Sequence, residues 1–324
     1  MSTEPIITDA AMPGLTSSLQ SRLRRHEQFA SRLVDEKHDF IVYLPPMYEA
    51  QPDRRYPTLY LQDGQNLFDP ETSFIKGKYW RVGETADELI LTGQIEPLII
   101  VGIYNTGVHR VDEYTHLEDK RLGGGKADAY GQMLVEELKP FVDHTYRTLP
   151  GAENCGMGGS SLGGLVSLYL GLRYTWVFSK LALMSPSVWW HDRAILKIVA
   201  QIQRKPDLRI WLDIGTHEGR RALPDVRALK RDLINKGWKR GKDLAYTEVQ
   251  DGEHDELAWS QRSVTRLADG PLGYGSKFFR ASSCTFEKRF PKHLFVFAEE
   301  GHPCPSPFPF VILLSRSGCT RWKG

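Results

Sequence analysis

The stretch Gly158-Gly159-Ser160-Ser161-Leu162-Gly163-Gly164 lies between an apolar segment that opens at Asn154 and a helix-forming run, Leu165-Val166-Ser167-Leu168-Tyr169-Leu170. A strand that turns sharply into a helix needs small residues on both sides of the turn, where a Cβ would collide. Gly159, Ser161 and Gly163 satisfy that need in the G-x-S-x-G pattern, whereas centring on Ser160 puts Leu162 where the second glycine belongs. Ser161 is therefore the candidate nucleophile. Two phosphate-binding readings fail nearby. A dinucleotide-binding loop would need a third glycine where Ser161 stands. Gly123-Gly124-Gly125-Lys126 is followed by Ala127, not by the Ser or Thr that a magnesium ion requires.

Outward from that turn, strands and helices alternate. His38 to Leu44, Tyr56 to Gln62 and Pro97 to Tyr104 read as strands, the last an almost unbroken apolar run of the kind buried on both faces. A helix is expected from about Ala127 to His144, with Met133, Leu134, Leu138 and Phe141 on one side. Asn154 to Gly158 feeds the turn, and Lys180 to Met184, Leu208 to Ile214 and Ala245 to Val249 are further strands. Helices at Ile195 to Gln203 and Arg221 to Lys236 separate them. The alternation implies crossover units, hence an α/β fold with a mostly parallel central sheet and helices on both faces. Ligands of such sheets bind beyond the carboxyl ends of the strands, where Asp63-Gly64, Ser161, the loop from Gly215 and the loop from Asp251 all fall.

A serine hydroxyl is a weak nucleophile at neutral pH and needs a base, itself oriented by a third group. On this kind of fold the chain order is serine, acid, histidine. His254, in Asp251-Gly252-Glu253-His254, directly follows the last strand and fits the base. His191 comes too soon after its strand, beside Trp189-Trp190, and His217, His293 and His302 are other downstream histidines. Glu218 is the carboxylate of the loop Gly215-Thr216-His217-Glu218-Gly219 and fits the acid. Asp213 is its rival, better suited to structural hydrogen bonding within the strand, and Asp225 is expected to face solvent. Two N–H donors for a developing oxyanion are expected from the backbones of Leu162, after the nucleophile, and Gln65, after Asp63-Gly64.

The 324 residues carry a net charge of +2, with 41% hydrophobic and 25% charged residues, as befits a chain that buries a sizeable core. That balance points to neither nucleic acid nor an anionic membrane as a partner. No apolar run approaches the roughly 20 residues needed to span a bilayer. Met1-Ser2-Thr3-Glu4-Pro5 lacks the basic start of a secretory signal, and Cys155, Cys284, Cys304 and Cys319 form no C-x-x-C pair. A cytoplasmic protein with reduced thiols, no metal and no organic cofactor is expected. Residues 1–28 read as a polar lead-in, 29–268 as the α/β domain, and 269–324 as an atypical extension. That extension is expected to be poorly ordered, since Pro303, Pro305, Pro307 and Pro309 alternate through it.

Several segments together carry a family resemblance: Phe40-Ile41-Val42-Tyr43-Leu44-Pro45-Pro46, Tyr60-Leu61-Gln62-Asp63-Gly64-Gln65-Asn66-Leu67-Phe68-Asp69, the Ser161 turn, and Met184-Ser185-Pro186-Ser187-Val188-Trp189-Trp190. From about Phe29 to Gln261 the chain resembles the putative-esterase family of α/β-hydrolases, which includes esterase D, enterochelin-esterase-like proteins, feruloyl esterases and mycolyltransferases. The resemblance implies a serine esterase acting on a small-molecule ester through an acyl-enzyme. Ser161 would be its nucleophile, Glu218 the acid of a G-T-x-E segment and His254 the base of a G-x-H segment, with Gln65 and Leu162 forming the oxyanion hole. Asn105, Arg110, Tyr114, Trp189 and Trp190 are expected to line the acyl or alcohol pocket. An acyltransferase on the same triad, or a non-catalytic carbohydrate-binding or scaffold protein on the same fold, is the alternative.

Overall fold

A computed structural model describes residues 6–8 and 17–262. Among them a nine-stranded sheet forms the centre. Its strands are β1 (Ile6–Thr8), β2 (Leu23–Phe29), β3 (His38–Tyr43), β4 (Thr58–Gln62), β5 (Ile99–Ile103), β6 (Cys155–Ser160), β7 (Lys180–Met184), β8 (Arg209–Gly215) and β9 (Leu244–Val249). Their order is β1-β2-β3-β5-β4-β6-β7-β8-β9. From β5 to β9 every neighbour is parallel, while β1, β2 and β3 add an antiparallel edge. This is the α/β-hydrolase architecture expected from the alternation of apolar runs and amphipathic helices.

Every residue of β4, β5, β6 and β7 is buried, because helices cover both faces. Apart from the short helices Ser17–Gln20 and Arg110–Tyr114, they are α1 (Val82–Leu91), α2 (helical turns through 127–145), α3 (Leu162–Arg173), α4 (Trp190–Gln201), α5 (Ala222–Asn235) and α6 (Glu256–Arg262). On one face, Tyr60 of β4 belongs to the same core cluster as Met133, Leu165, Ile195 and Leu229 of α2 to α5. Its neighbours Leu59 and Leu61 pack on the other, with Val82, Ala86 and Leu89 of α1 and Trp259 of α6. The two-residue period of the strand is what divides the core in two.

Between β4 and β6 the strand order changes direction, and the connections leave to opposite faces of the sheet. Such a switch point opens a crevice at the carboxyl ends. Gln65 follows β4 and Ser161 follows β6, so both lie at that crevice.

The reading of secondary structure differs from the observed elements as follows. Residues 23–28 belong to β2, not to a polar lead-in. The strand hides Leu23, His26 and Phe29, every third residue, because its register with β3 shifts between His26 and Phe29, and Arg24, Arg25, Glu27 and Gln28 reach water, so neither composition nor a two-residue period marks it. Helix α1 has no counterpart in the sequence reading. Asn154, whose polarity sits badly in a buried strand, lies outside β6, in a 3₁₀ turn. The extension at 269–324 lies outside the described residues, and so does the last part of the helix read from about Leu257 to Leu267.

His26 ties β2 to the core. Its ring stacks on Phe40 at 4.4 Å and its Nε2 meets the Tyr146 hydroxyl at 2.5 Å. Burial lowers its pKa from 6.5 to about 4. The unfolded chain therefore binds this proton more readily, so the stability is complete above about pH 6.5 and is lost as pH falls from there through about 4. His26→Phe should lose less stability between pH 7 and pH 5 than the unaltered protein in urea melts. Equal losses would remove His26 from the acid response.

Candidate active site

Ser161 sits between β6 and α3 with φ 55° and ψ −122°, a conformation that side chains rarely adopt. Close packing enforces it. A Cβ on Gly159 would stand 2.9 Å from the Gly163 carbonyl carbon, and one on Gly163 would stand 2.9 Å from the Gln62 Cβ. The Ser161 N–H donates to the Met184 carbonyl at 3.0 Å, and its own carbonyl accepts from Ser187 N at 2.9 Å. The hydroxyl is thus presented at the tip of a fixed turn.

Two partners converge on it from the ends of β8 and β9. Ser161 Oγ lies 3.0 Å from His254 Nε2, and His254 Nδ1 lies 2.8 Å from Glu218 Oε2. With Nδ1–H donating to the carboxylate, Nε2 is left to accept the serine proton. The imidazole is partly exposed and meets the Trp259 ring edge-on at 4.8 Å. The Glu218 carboxylate is fully buried, and its second oxygen, Oε1, accepts from Ser185 Oγ at 2.6 Å, Gly215 N at 2.7 Å and Arg262 Nη1 at 2.8 Å. Burial alone would push the Glu218 carboxyl up; the hydrogen bonds from His254, Ser185, Arg262 and Gly215 outweigh it and hold the group below the usual carboxylate range. The ion is maintained in a dry setting.

Asp213 stays inside β8, where Oδ1 accepts the Ser185 N–H at 3.1 Å, as its position in the strand suggested. His217 faces Asp251 at 3.3 Å on the exposed surface. Asp225 is not the solvent-facing residue that the helix pattern suggested. It is buried, and its Oδ1 meets Arg193 Nε at 2.8 Å.

The loop after β4 turns through Asp63 in the left-handed region, φ 58° and ψ 47°. A Cβ on the next residue, Gly64, would stand 2.4 Å from the Gly102 carbonyl, so only glycine lets this loop press against β5. Gln65 is held by its side chain, which accepts Asn105 N at 3.2 Å, and by its carbonyl, which accepts Thr72 Oγ1 at 2.7 Å. Leu162 is the first residue of α3, so its N–H has no carbonyl one turn back within the helix to bond. A Cβ on Gly163 would meet Gln62 and the Asp63 carboxylate, so the loop after β4 borders the Ser161 turn.

Of the five expected pocket residues, three converge on Asp63 instead. Arg110 grips its carboxylate through Nε at 2.7 Å and Nη2 at 2.8 Å, Asn105 Nδ2 adds a bond of 2.7 Å, and the Tyr114 hydroxyl accepts Asp63 N at 3.1 Å. Tyr114 is wholly buried, and Trp190 is 2% exposed with its indole N–H given to the Leu117 carbonyl at 2.9 Å. The expectation that these two line a pocket is therefore corrected: both are core residues. Trp189 alone of the pair reaches solvent.

The sequence reading gave no role to Ser185, Ser187, Trp259 or Arg262. Ser187 Oγ is 3.2 Å from Ser161 Oγ, while Ser185 contacts the acid. The signal was the pair of serines flanking Pro186 directly after a buried strand at the site's rim. Cys155, the described cysteine, is a buried free thiol whose pKa burial pushes up to about 12. Among the described residues no cluster of three or more His, Cys, Asp or Glu side chains could hold a metal ion, and no helix is long and apolar enough to cross a membrane.

Fold and site together define an α/β-hydrolase. The chain belongs to the family described as Putative esterase, which matches residues 31–269, and is by that membership an ester hydrolase. It is 29% identical over 240 residues to the uncharacterised Bacillus subtilis protein YjcH, covering 72% of this chain and 92% of that one. Among solved structures, the siderophore hydrolase EstA from Aspergillus nidulans superposes with a TM-score of 0.61 at 19% identity, over 81% of this chain and 99% of the other. A ferulic acid esterase gives the same TM-score at 18% identity, over 79% and 98%. Likeness at that distance speaks to the fold.

Proposed function

We propose that the chain hydrolyses a small carboxylic ester through an acyl-enzyme on Ser161. His254 Nε2 takes the hydroxyl proton as Oγ attacks the ester carbonyl. The carbonyl oxygen, now an anion, is met by the N–H groups of Gln65 and Leu162, each contributing about 3 kcal/mol in the transition state. His254 then returns the proton to the departing alcohol, leaving the acyl group on Oγ. A water molecule repeats the sequence with its proton passing to His254, and the acid is released. Glu218 holds the imidazole in the tautomer that leaves Nε2 free and stabilises the imidazolium formed in each half.

The observation that carries this reading is the unbroken line of contacts from Ser161 Oγ through His254 to Glu218, at 3.0 and 2.8 Å. The family membership supports the same chemistry. A fluorophosphonate probe tests it: the purified protein should gain one adduct by intact mass, and the modified peptide should map to Ser161. No adduct, or one on Ser160, Ser185 or Ser187, would sink the assignment.

A further inference from the structure

The acid of the triad reading carries more support than its task requires. Ser185 and Gly215 already supply two neutral donors to Glu218 Oε1, yet a guanidinium joins them. Burying a cation for that purpose is costly unless its whole surroundings are built to receive it. They are. Arg262 is 1% exposed. Its Nη1 reaches Glu218 Oε1 at 2.8 Å and Ser185 Oγ at 3.1 Å, and its Nη2 donates to the Glu253 carbonyl at 2.7 Å. Glu253 immediately precedes His254, so one side chain grips both the acid and the loop of the base.

The slot it fills exists only because of two glycines. A Cβ on Gly252 would stand 2.5 Å from Nη2, and one on Gly215 would stand 2.6 Å from it. These glycines lie just beyond β9 and at the end of β8, the strands that lead to His254 and Glu218. Helix α6 begins two residues after His254 and returns Arg262 beneath the site from its last position. On the way it brings Trp259, whose indole N–H donates to Ser185 Oγ at 3.2 Å.

Resting on the triad reading above, we propose that Arg262 is a positioning residue of the proton relay: it fixes Glu218 as an ion aimed at His254 and locks the two catalytic loops together. The charges around it make this measurable. Glu218 and Asp213, the latter 3.8 Å from Nη1, are the buried anions facing the guanidinium, with Asp255 at the start of α6 more distant and paired to Lys78. Facing the imidazole are Glu218 and, further off, Glu256. Without the guanidinium, Glu218 loses the cation at its Oε1, so it either takes up a proton itself or holds the imidazolium of His254 more tightly. Either way the combination of ionised Glu218 and neutral His254 forms only at a higher pH.

The test is the pH profile of kcat/KM for p-nitrophenyl acetate. Arg262→Met should lower kcat at least tenfold with KM changed less than twofold, and move the acidic limb up by about one pH unit or more. Arg262→Lys, which keeps the charge but not the fork, should bring the limb back toward its original position while restoring only part of kcat. A rate lost equally at every pH, with the limb unmoved, would make Arg262 merely structural and overturn the proposal. Should Arg262→Met not fold, Gly252→Ala, which crowds Nη2 from outside, is read in the same way: a raised limb supports the proposal and an unmoved limb overturns it. Fluorophosphonate labelling of the unaltered protein separates the two readings. Labelling at Ser161 with an unmoved limb sinks the role of Arg262 alone, whereas no labelling sinks the triad beneath it.

Discussion

Ser161→Ala is expected to lower kcat for p-nitrophenyl acetate by about 10⁶-fold, the scale on which a serine triad fails when its nucleophile is lost. The fold should not notice. The residue keeps its φ of 55°, which costs alanine about as much as serine, and the Ser161 side chain makes no capping hydrogen bond to the first turn of α3. The bonds that pin this turn, from Ser161 N to Met184 and from Ser187 N to Ser161, are all backbone and survive the change. A thermal melt should therefore move by no more than the shift that about 0.5 kcal/mol produces. Ser187 is the group that could spoil the result, since its Oγ lies 3.2 Å from that of Ser161. It is buried, however, and its backbone is bound into the turn. A residual rate within about tenfold of the original would show that the hydroxyl of Ser161 is not the attacking group.

What the sequence discloses of this arrangement depends on how local the cause is. The four strands β4 to β7 at the middle of the sheet are apolar or glycine-rich between polar end residues such as Thr58, Gln62, Ser160 and Lys180, because both faces are covered, and each is legible by itself. The carboxyl ends of β6, β8 and β9 then lead to Ser161, Glu218 and His254 at one rim, so topology nominates them. Side-chain direction is another matter. Tyr114 and Trp190 occupy rim segments, but whether an aromatic ring points to the crevice or the core is decided by neighbours remote in sequence, Asp63 for one and Leu117 for the other. Asp225 is misread for the same reason: on a polar helix it looks solvated, and only the approach of Arg193 from the preceding helix explains its burial. β2 escapes because its inward positions include a histidine, and α1 because a glycine, packed against Leu19, interrupts its apolar spacing. Arg262 is the extreme case, since its partner Glu218 stands 44 residues away and nothing near it in the chain hints at a carboxylate.

His254→Ala should cost as much as the loss of the serine, and combining the two changes should cost no more than either, because a hydroxyl without its base and a base without its hydroxyl are equally idle. The variant also exposes a difference between the members of the proposed triad that follows from burial. Removing the imidazole opens a gap bounded by Ser161 Oγ, 3.0 Å from the missing Nε2, and Glu218 Oε2, 2.8 Å from the missing Nδ1. The His254 side chain was 42% exposed, so that gap communicates with solvent. Glu218 keeps its bonds from Ser185, Gly215 and Arg262 and holds its place. Free imidazole can then enter, donate to the carboxylate and accept from the serine, and the rate should rise in proportion to its concentration. Glu218→Ala offers no such entry: the Glu218 side chain is 0% exposed, so formate or acetate should restore nothing. Imidazole-dependent turnover in the first variant, set against carboxylate-independent failure of the second, is the expected pair of results. Rescue of Glu218→Ala by formate would show that the site of the carboxylate is open to solvent, and no rescue of His254→Ala by imidazole would count against His254 as the base.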